Sequence, residues 1–259
     1  MKLNEQCAWV LGAGFLGSAL ARAAAAAGAR VLSIDPTAAA DVQGYAYESA
    51  VLQEARARML PTVVFCCMAT RGGSVEDYER CYLRTVEQVC AVAPEAKLVF
   101  SSSTSVYGET QGRAVTEQSP AAAKGERATL LLRAEQTVLA AGGVVARLAA
   151  LYGEGRCELV RRHVAGEPQL PGAEGRLLNY VHVDDAAAAL LLLAQAPAGI
   201  YNVCGSSFTK GEAYARLEQL TGVLRSPQSS EASCRGCSHL QVNSDKIRAL
   251  GWLPRPFFE

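Results

Sequence analysis

Cys7-Ala8-Trp9-Val10-Leu11-Gly12-Ala13-Gly14-Phe15-Leu16-Gly17 is the stretch that decides the fold of this chain. A short apolar run ends in three glycines spaced G-x-G-x-x-G. An Ala-rich stretch, Phe15 to Ala27, then reads as a helix that Gly28 stops. Each glycine has its own reason to be there. Gly12 permits a tight turn, Gly14 lets the backbone approach a pyrophosphate, and Gly17 lets helix pack closely on strand. The start of the helix, at Phe15 and Leu16, adds unpaired N–H groups and the positive end of a dipole. A second apolar run, Ala29 to Ile34, ends at Asp35, about 20 residues past the turn, where an acid can accept ribose hydroxyls. The strand–turn–helix context predicts a dinucleotide-binding turn. Asp35 repels a 2′-phosphate and Pro36-Thr37-Ala38 supplies no arginine to hold one, so NAD is expected rather than NADP.

The same alternation continues outward. Thr62–Met68, Lys97–Phe100 and Val144–Leu148 read as buried strands, and Ser74–Ala93 and Arg127–Ala141 as long helices. Short apolar runs between longer helices predict an α/β fold, a Rossmann-type doubly wound parallel sheet. After residue 150 the rhythm becomes irregular. A helix-like stretch lies near Leu159–His163, strands at Asn179–Val183 and Ile200–Val203, a helix at Thr209–Leu220, and a polar loop at Ser226–Gly236. Asp184 or Asp185 is expected to cap the helix after residue 183. The expected division is residues 1–150 with 179–205 as the dinucleotide-binding domain, and 151–178 with 206–259 as a smaller C-terminal lobe facing substrate.

Bulk properties narrow the function classes. Among 259 residues, Lys+Arg and Asp+Glu both total 25, so the chain has no basic excess for nucleic acid or an anionic membrane surface. No run of about 18 apolar residues suggests a membrane span. Residues 1–6 are polar and show no signal-peptide pattern, and the nine cysteines are an odd number, several of them inside apolar runs. A reducing, cytoplasmic setting and a small-molecule partner are expected.

Further motifs follow the glycine turn in order. Ser101-Ser102-Ser103-Thr104-Ser105-Val106-Tyr107-Gly108 follows a strand. Arg147-Leu148 precedes Leu151-Tyr152-Gly153-Glu154-Gly155-Arg156. Asn179-Tyr180-Val181-His182-Val183-Asp184-Asp185-Ala186 and Tyr201-Asn202-Val203 come later. Together they resemble the extended short-chain dehydrogenase/reductase superfamily, the NAD-dependent epimerase/dehydratase group, over nearly the whole chain. The resemblance implies a cofactor set of Gly12, Gly14, Phe15, Leu16, Gly17, Asp35, Cys67, Met68, Ala69 and Ser101. It also implies a hydroxyl at Ser103 beside the nicotinamide, and a homodimer formed through helices 74–93 and 127–141.

One departure bears on chemistry. The family's Y-x-x-x-K is absent. The five lysines are Lys2, Lys97, Lys124, Lys210 and Lys246, and the residues four places before the last four are Ala93, Pro120, Ser206 and Val242. Counting back from Glu135-Gln136 puts the tyrosine position on Arg127, the lysine position on Leu131 and the asparagine position near Cys81. The lysine ordinarily lowers the tyrosine's pKa so that the phenol can shuttle a proton near neutral pH, and neither an arginine nor a leucine does this. Arg127 and Lys124 are then the nearby candidates to supply a proton, with Ser103 and Arg127 as the catalytic pair. Leu178-Asn179 replaces the Arg-Asp that helps many sugar-nucleotide epimerases hold a diphosphate, which leaves Arg156, Arg161 or Arg176 to bind an anion. The expected function is an oxidoreductase or epimerase-like enzyme acting on a small polar metabolite. The alternative is a non-catalytic dinucleotide sensor or scaffold. Cys234 and Cys237 form a C-x-x-C without a second pair and read as coincidence. His182 reads as a structural histidine and His163 as a solvated helix residue.

Overall fold

Seven parallel strands run in the order β10-β7-β5-β4-β1-β2-β3: Gly199–Val203, Val144–Leu148, Lys97–Ser103, Val63–Cys66, Cys7–Leu11, Arg30–Asp35 and Val42–Gln43. The computed structural model describes residues 6–37, 39–70, 72–122, 124–227 and 239–257. Side chains alternate across each strand, which divides the apolar residues between two layers. Ala8, Val10, Val63 and Phe65 face α1 (Phe15–Ala26) and α7 (Val183–Leu193). Trp9, Leu11, Val64 and Cys66 join the core formed with α2 (Ser49–Arg58), α4 (Thr85–Val92) and α5 (Glu126–Ala140). The fold is thus the expected doubly wound α/β sheet with a helical layer on each face.

The sheet reverses direction of winding at β1, with β2 and β3 to one side and β4, β5 and β7 to the other. That is the point where open α/β sheets form a crevice at the carboxyl ends of their strands. The glycine turn, Asp35, Cys67 and the serine run all sit at those ends. Neither β3 nor α2 was expected. Two strand residues leave no alternating pattern to read, and α2 starts after Glu48 with no side-chain cap.

The helix expected over residues 74–93 changes character along its length. Ser74 and Asp77 form a reciprocal capping box for α3 (Val75–Tyr78). A π-helical stretch, Glu79–Arg84, follows, and α4 continues from it. A 3.6-residue periodicity cannot reveal a wider turn of this kind, which is found frequently at functional sites.

A second sheet, β11-β9-β8 (Ser206–Thr209, Leu177–His182, Ala150–Tyr152), packs with α6 (Glu158–Val164) and α8 (Lys210–Thr221) around Leu159, Leu178, Tyr180, Ala213, Tyr214 and Leu217. The strand expected at 179–183 therefore pairs in this small sheet, while α7 and β10, from the same expected segment, lie with the main one. Short strands β6 (Ala114–Val115) and β12 (Gln241–Val242) pair with each other, and α9 (Asp245–Arg248) follows β12.

Two histidine and capping expectations need correction. The cap of α7 is His182, whose Nδ1 accepts the Asp184 N–H at 3.2 Å. Asp184 and Asp185 fall in the first turn, where their charge meets the helix dipole, and Asp185 also accepts the Arg255 N–H. His163 is not solvated. It is 2% exposed, its Nε2 lies 2.9 Å from Thr221 Oγ1, and its ring tilts against Tyr214. Cys234 and Cys237 lie outside the described residues. Among the described residues, no helix is long and apolar enough to cross a membrane.

Candidate active-site cleft

A cleft of about 680 Å³ opens over the carboxyl ends of the central strands. At its floor the glycine turn meets geometric demands that other residues would break. Gly12 has φ +89°, and a Cβ there would lie 2.9 Å from the Met68 backbone. A Cβ on Gly17 would sit 1.8 Å from the Gly12 carbonyl oxygen, so this residue packs beneath the turn and does not line the cleft. Gly14 is different. Its φ is −75°, and an added Cβ would meet no atom within 4 Å. It is open because the cleft lies over it.

Helix α1 begins at this point with no side-chain cap and no acid in its first turn. Unsatisfied N–H groups and the dipole's positive end are left for an anion. Asp35, at the tip of β2, accepts the Ala13 N–H on Oδ2 at 2.8 Å and the Thr37 N–H on Oδ1 at 3.0 Å. The carboxylate thereby fixes the turn's position relative to the second strand. Each of its oxygens keeps a further lone pair for a ligand hydroxyl.

Gly12, Gly14, Phe15, Leu16, Asp35, Cys67, Met68, Ala69, Ser101 and Ser103 all line the cleft. Ser101 Oγ donates to the Cys66 carbonyl at 2.7 Å, satisfying backbone where β5 passes β4. Ser103 Oγ accepts the Ser105 N–H at 3.1 Å as the cap of a short 3₁₀ turn. Its own hydrogen has no acceptor among the described residues, which leaves one donor for a ligand oxygen.

The far half of the cleft is apolar around Leu131, the position that counting along the sequence assigns to the family's lysine. Leu131, 6% exposed, lines it together with Leu148, Ala149, Leu151 and Cys81. Arg127, one turn earlier on α5, is exposed, lies 5.5 Å over the Tyr78 ring and is not among the lining side chains. Lys124 is exposed and also outside the lining. Burial pushes the Cys67 and Cys81 thiols up to about 12 each, so both are neutral near pH 7. Tyr107 does not offer a replacement phenol. It is 3% exposed, its hydroxyl donates to Asn202 Oδ1 at 2.7 Å, and Arg147 covers its ring at 4.8 Å.

Behind this half a buried ion pair ties three elements together. Arg147 on β7 bonds Glu135 on α5 at 2.6 Å, and Ser102 on β5 donates to the same carboxylate at 2.5 Å. Both charged side chains are at most 4% exposed. The Ser102 bond to this carboxylate fixes the helix that carries Leu131 against the strand that carries Ser103.

Of the three arginines expected as anion ligands, only Arg156 lines the cleft, with its guanidinium 4.8 Å from the Phe15 ring centre. Arg161 is held by Glu158 and Glu167, and Arg176 donates to the Pro171 carbonyl. Sequence reasoning missed Tyr45, Tyr47, Arg80 and Tyr82, which also line the cleft. They lie after the two-residue strand and in the π-helical stretch, neither of which has a pattern to read.

The comparisons with known proteins agree with this architecture. Residues 8–204 match the model of the NAD dependent epimerase/dehydratase family. Protein YeeZ of Escherichia coli (strain K12) is 33% identical over 175 residues, which cover 64% of this chain and 61% of the length of YeeZ. The UDP-glucose 4-epimerase of Thermus thermophilus, solved with NAD, superposes with a TM-score of 0.78 at 24% identity, covering 98% of this chain and 96% of that one. Bordetella bronchiseptica WbmG, also solved with NAD, gives a TM-score of 0.81 at 18% identity, covering 99% and 91%. At these identities the two structures establish the shared fold. The matched segment holds the glycine turn, Asp35, the serine run and the buried ion pair, and the chain belongs to the NAD dependent epimerase/dehydratase family.

Proposed function

We propose that this chain binds NAD(H) in the cleft and acts as an oxidoreductase or epimerase-like enzyme on a small polar metabolite, with a non-standard catalytic group. The observation that carries the reading is the open space over Gly14 beside an uncapped helix start, with Asp35 at the next strand tip. The amides of Phe15 and Leu16 would hold the pyrophosphate, Asp35 the adenosine ribose, and Met68, Ala69 and Ser101 the walls beyond. Asp35 with no neighbouring arginine after it favours NAD over NADP.

Bound there, the nicotinamide supplies hydride exchange. Ser103 donates a hydrogen bond to the substrate oxygen. Leu131, Leu148 and Leu151 exclude water from the reacting face. The proton comes from the substrate or from a single water admitted with it, because among the described residues no phenol–ammonium pair lines the cleft. A second reading, a non-catalytic dinucleotide sensor, is supported by Leu131 on the cleft wall, at the position counted for the family's lysine, and by Arg127 outside the lining.

Incubating the protein with NADH and a panel of keto acids, aldehydes and imines separates the two readings. Turnover that is lost in Ser103→Ala, with NADH affinity unchanged, is the expected result. Tight NADH binding without turnover across the panel overturns the enzymatic reading in favour of the sensor.

A further inference from the structure

The strand tips run in an order that a dinucleotide's adenosine end can follow. The glycine turn closes β1, Asp35 closes β2, and Gly44-Tyr45 closes β3, with Ile34 opposite Val42 and Asp35 opposite Gln43. Neighbouring strands lie about 4.8 Å apart. A ligand that places its pyrophosphate at the first tip and its ribose at the second brings its base to the third.

The third tip carries two tyrosines. Gly44 has φ +146°, and its N–H donates to the Asp35 carbonyl at 3.2 Å. A Cβ on Gly44 would lie 2.5 Å from Val51 of α2, so only glycine lets the chain turn this closely. The turn brings Tyr45 and Tyr47 onto the cleft wall with their rings stacked, centroids 5.0 Å apart at 15°. Tyr47 is half-buried, and burial, helped by the neighbouring Glu48 charge, pushes its phenol up from the ordinary value. Tyr45 is 49% exposed, a large aromatic surface left wet beside Ile34, Pro36 and Ala46. Asp77, the other acid of this wall, accepts from Ser74 N and Oγ on Oδ2 and from Arg80 on Oδ1, so its charge caps α3 and is paired with a guanidinium.

We propose that Tyr45, backed by Tyr47, is a stacking platform for the adenine ring, so that this chain recognises the base by its face and not by its hydrogen-bonding edge. The inference rests on the dinucleotide reading above and adds how the base is held. Every base has a π-face, and an aromatic ring already held by a second ring loses little freedom on stacking.

The test uses calorimetry with ADP and with 1,N6-etheno-ADP, whose extra ring blocks the adenine edge but keeps a flat face. Both are expected to bind within about threefold of each other, because stacking tolerates a changed edge. Tyr45→Ala is expected to weaken both, and NADH, by about tenfold, while Tyr45→Phe binds like the parent. Tyr45 is half exposed and outside the core, so an unchanged melting temperature confirms that the Ala variant is folded. Etheno-ADP binding tenfold or more weaker than ADP would overturn the platform, as would an unaffected Tyr45→Ala. In both cases the parent still binds ADP, and only the platform falls. A parent that binds neither ADP nor NADH would overturn the dinucleotide reading and the platform with it.

Discussion

The two halves of the cleft differ in what they retain. The half under β1, β2 and β3, the proposed adenosine half, has its turn, its carboxylate and an uncapped helix in place, each with a steric or hydrogen-bonding reason. The other half, under β5 and β7, has Ser103 and the buried ion pair behind it, with Leu131 and Leu148 on its wall. The same sheet can therefore frame a wall of turn amides and carboxylate on one side and a largely apolar wall on the other. The Glu135–Arg147 pair joins α5 to β7 behind the second wall whether or not a proton moves in front of it.

Breaking that pair is expected to produce the largest effect. Glu135→Leu leaves the Arg147 charge buried without its partner and should cost about 3–5 kcal/mol of stability, read as the midpoint of urea unfolding. A small loss would mean that the two halves do not share this scaffold.

The glycines divide the comparison more finely. Gly14→Leu fills the space where a pyrophosphate would meet the helix amides, and should reduce NADH affinity by about 100-fold, the equivalent of one strong charge-assisted hydrogen bond. Its melting temperature should stay within a degree or two. Gly12→Ala should do the reverse, losing stability first, because its left-handed φ and the Met68 backbone leave no room for a side chain. Equal behaviour of the two variants would contradict the separate roles given to them.

Much of the adenosine half was legible because its signals are local. Three glycines, a strand before and a helix after, and an acid at the end of the next strand are all read within one βαβ unit. Leu131 and Cys81 were found by counting from motifs, and both do line the cleft. Tyr45 and Tyr47 were not found, since they follow a strand of two residues. The burial of His163 was not legible either, because it depends on α8 packing on α6 from 58 residues away in sequence. The His182 cap was missed for a related reason. An imidazole nitrogen accepts a helix N–H as a carboxylate does, and the neighbouring aspartates drew the expectation.

The thiols give a smaller, pH-dependent test. Cys67 and Cys81 are raised by burial from an ordinary value of 9 to about 12. Their folded values exceed their unfolded ones, so the stability they contribute is full below about pH 9 and is lost as pH rises toward 12. Unfolding midpoints between pH 8.5 and pH 10.5, taken at about half-unit steps, should fall more steeply for the parent than for the Cys67→Ala, Cys81→Ala double variant. Identical slopes would show that the surroundings of these two thiols are wetter than described.

The smallest effect is expected at Arg127. Arg127→Ala removes a guanidinium that stacks on Tyr78 outside the cleft lining, and should leave NADH affinity unchanged and stability altered by about 0.5–1 kcal/mol at most. A loss of turnover in that variant would return Arg127 to the catalytic group.

Titration calorimetry of the unmodified protein with NADH, ADP-ribose and nicotinamide mononucleotide tests the division most directly. ADP-ribose should bind within about tenfold of NADH, and the mononucleotide should give no measurable heat. Absence of heat from both NADH and ADP-ribose, or a mononucleotide that binds as tightly as NADH, would contradict the account.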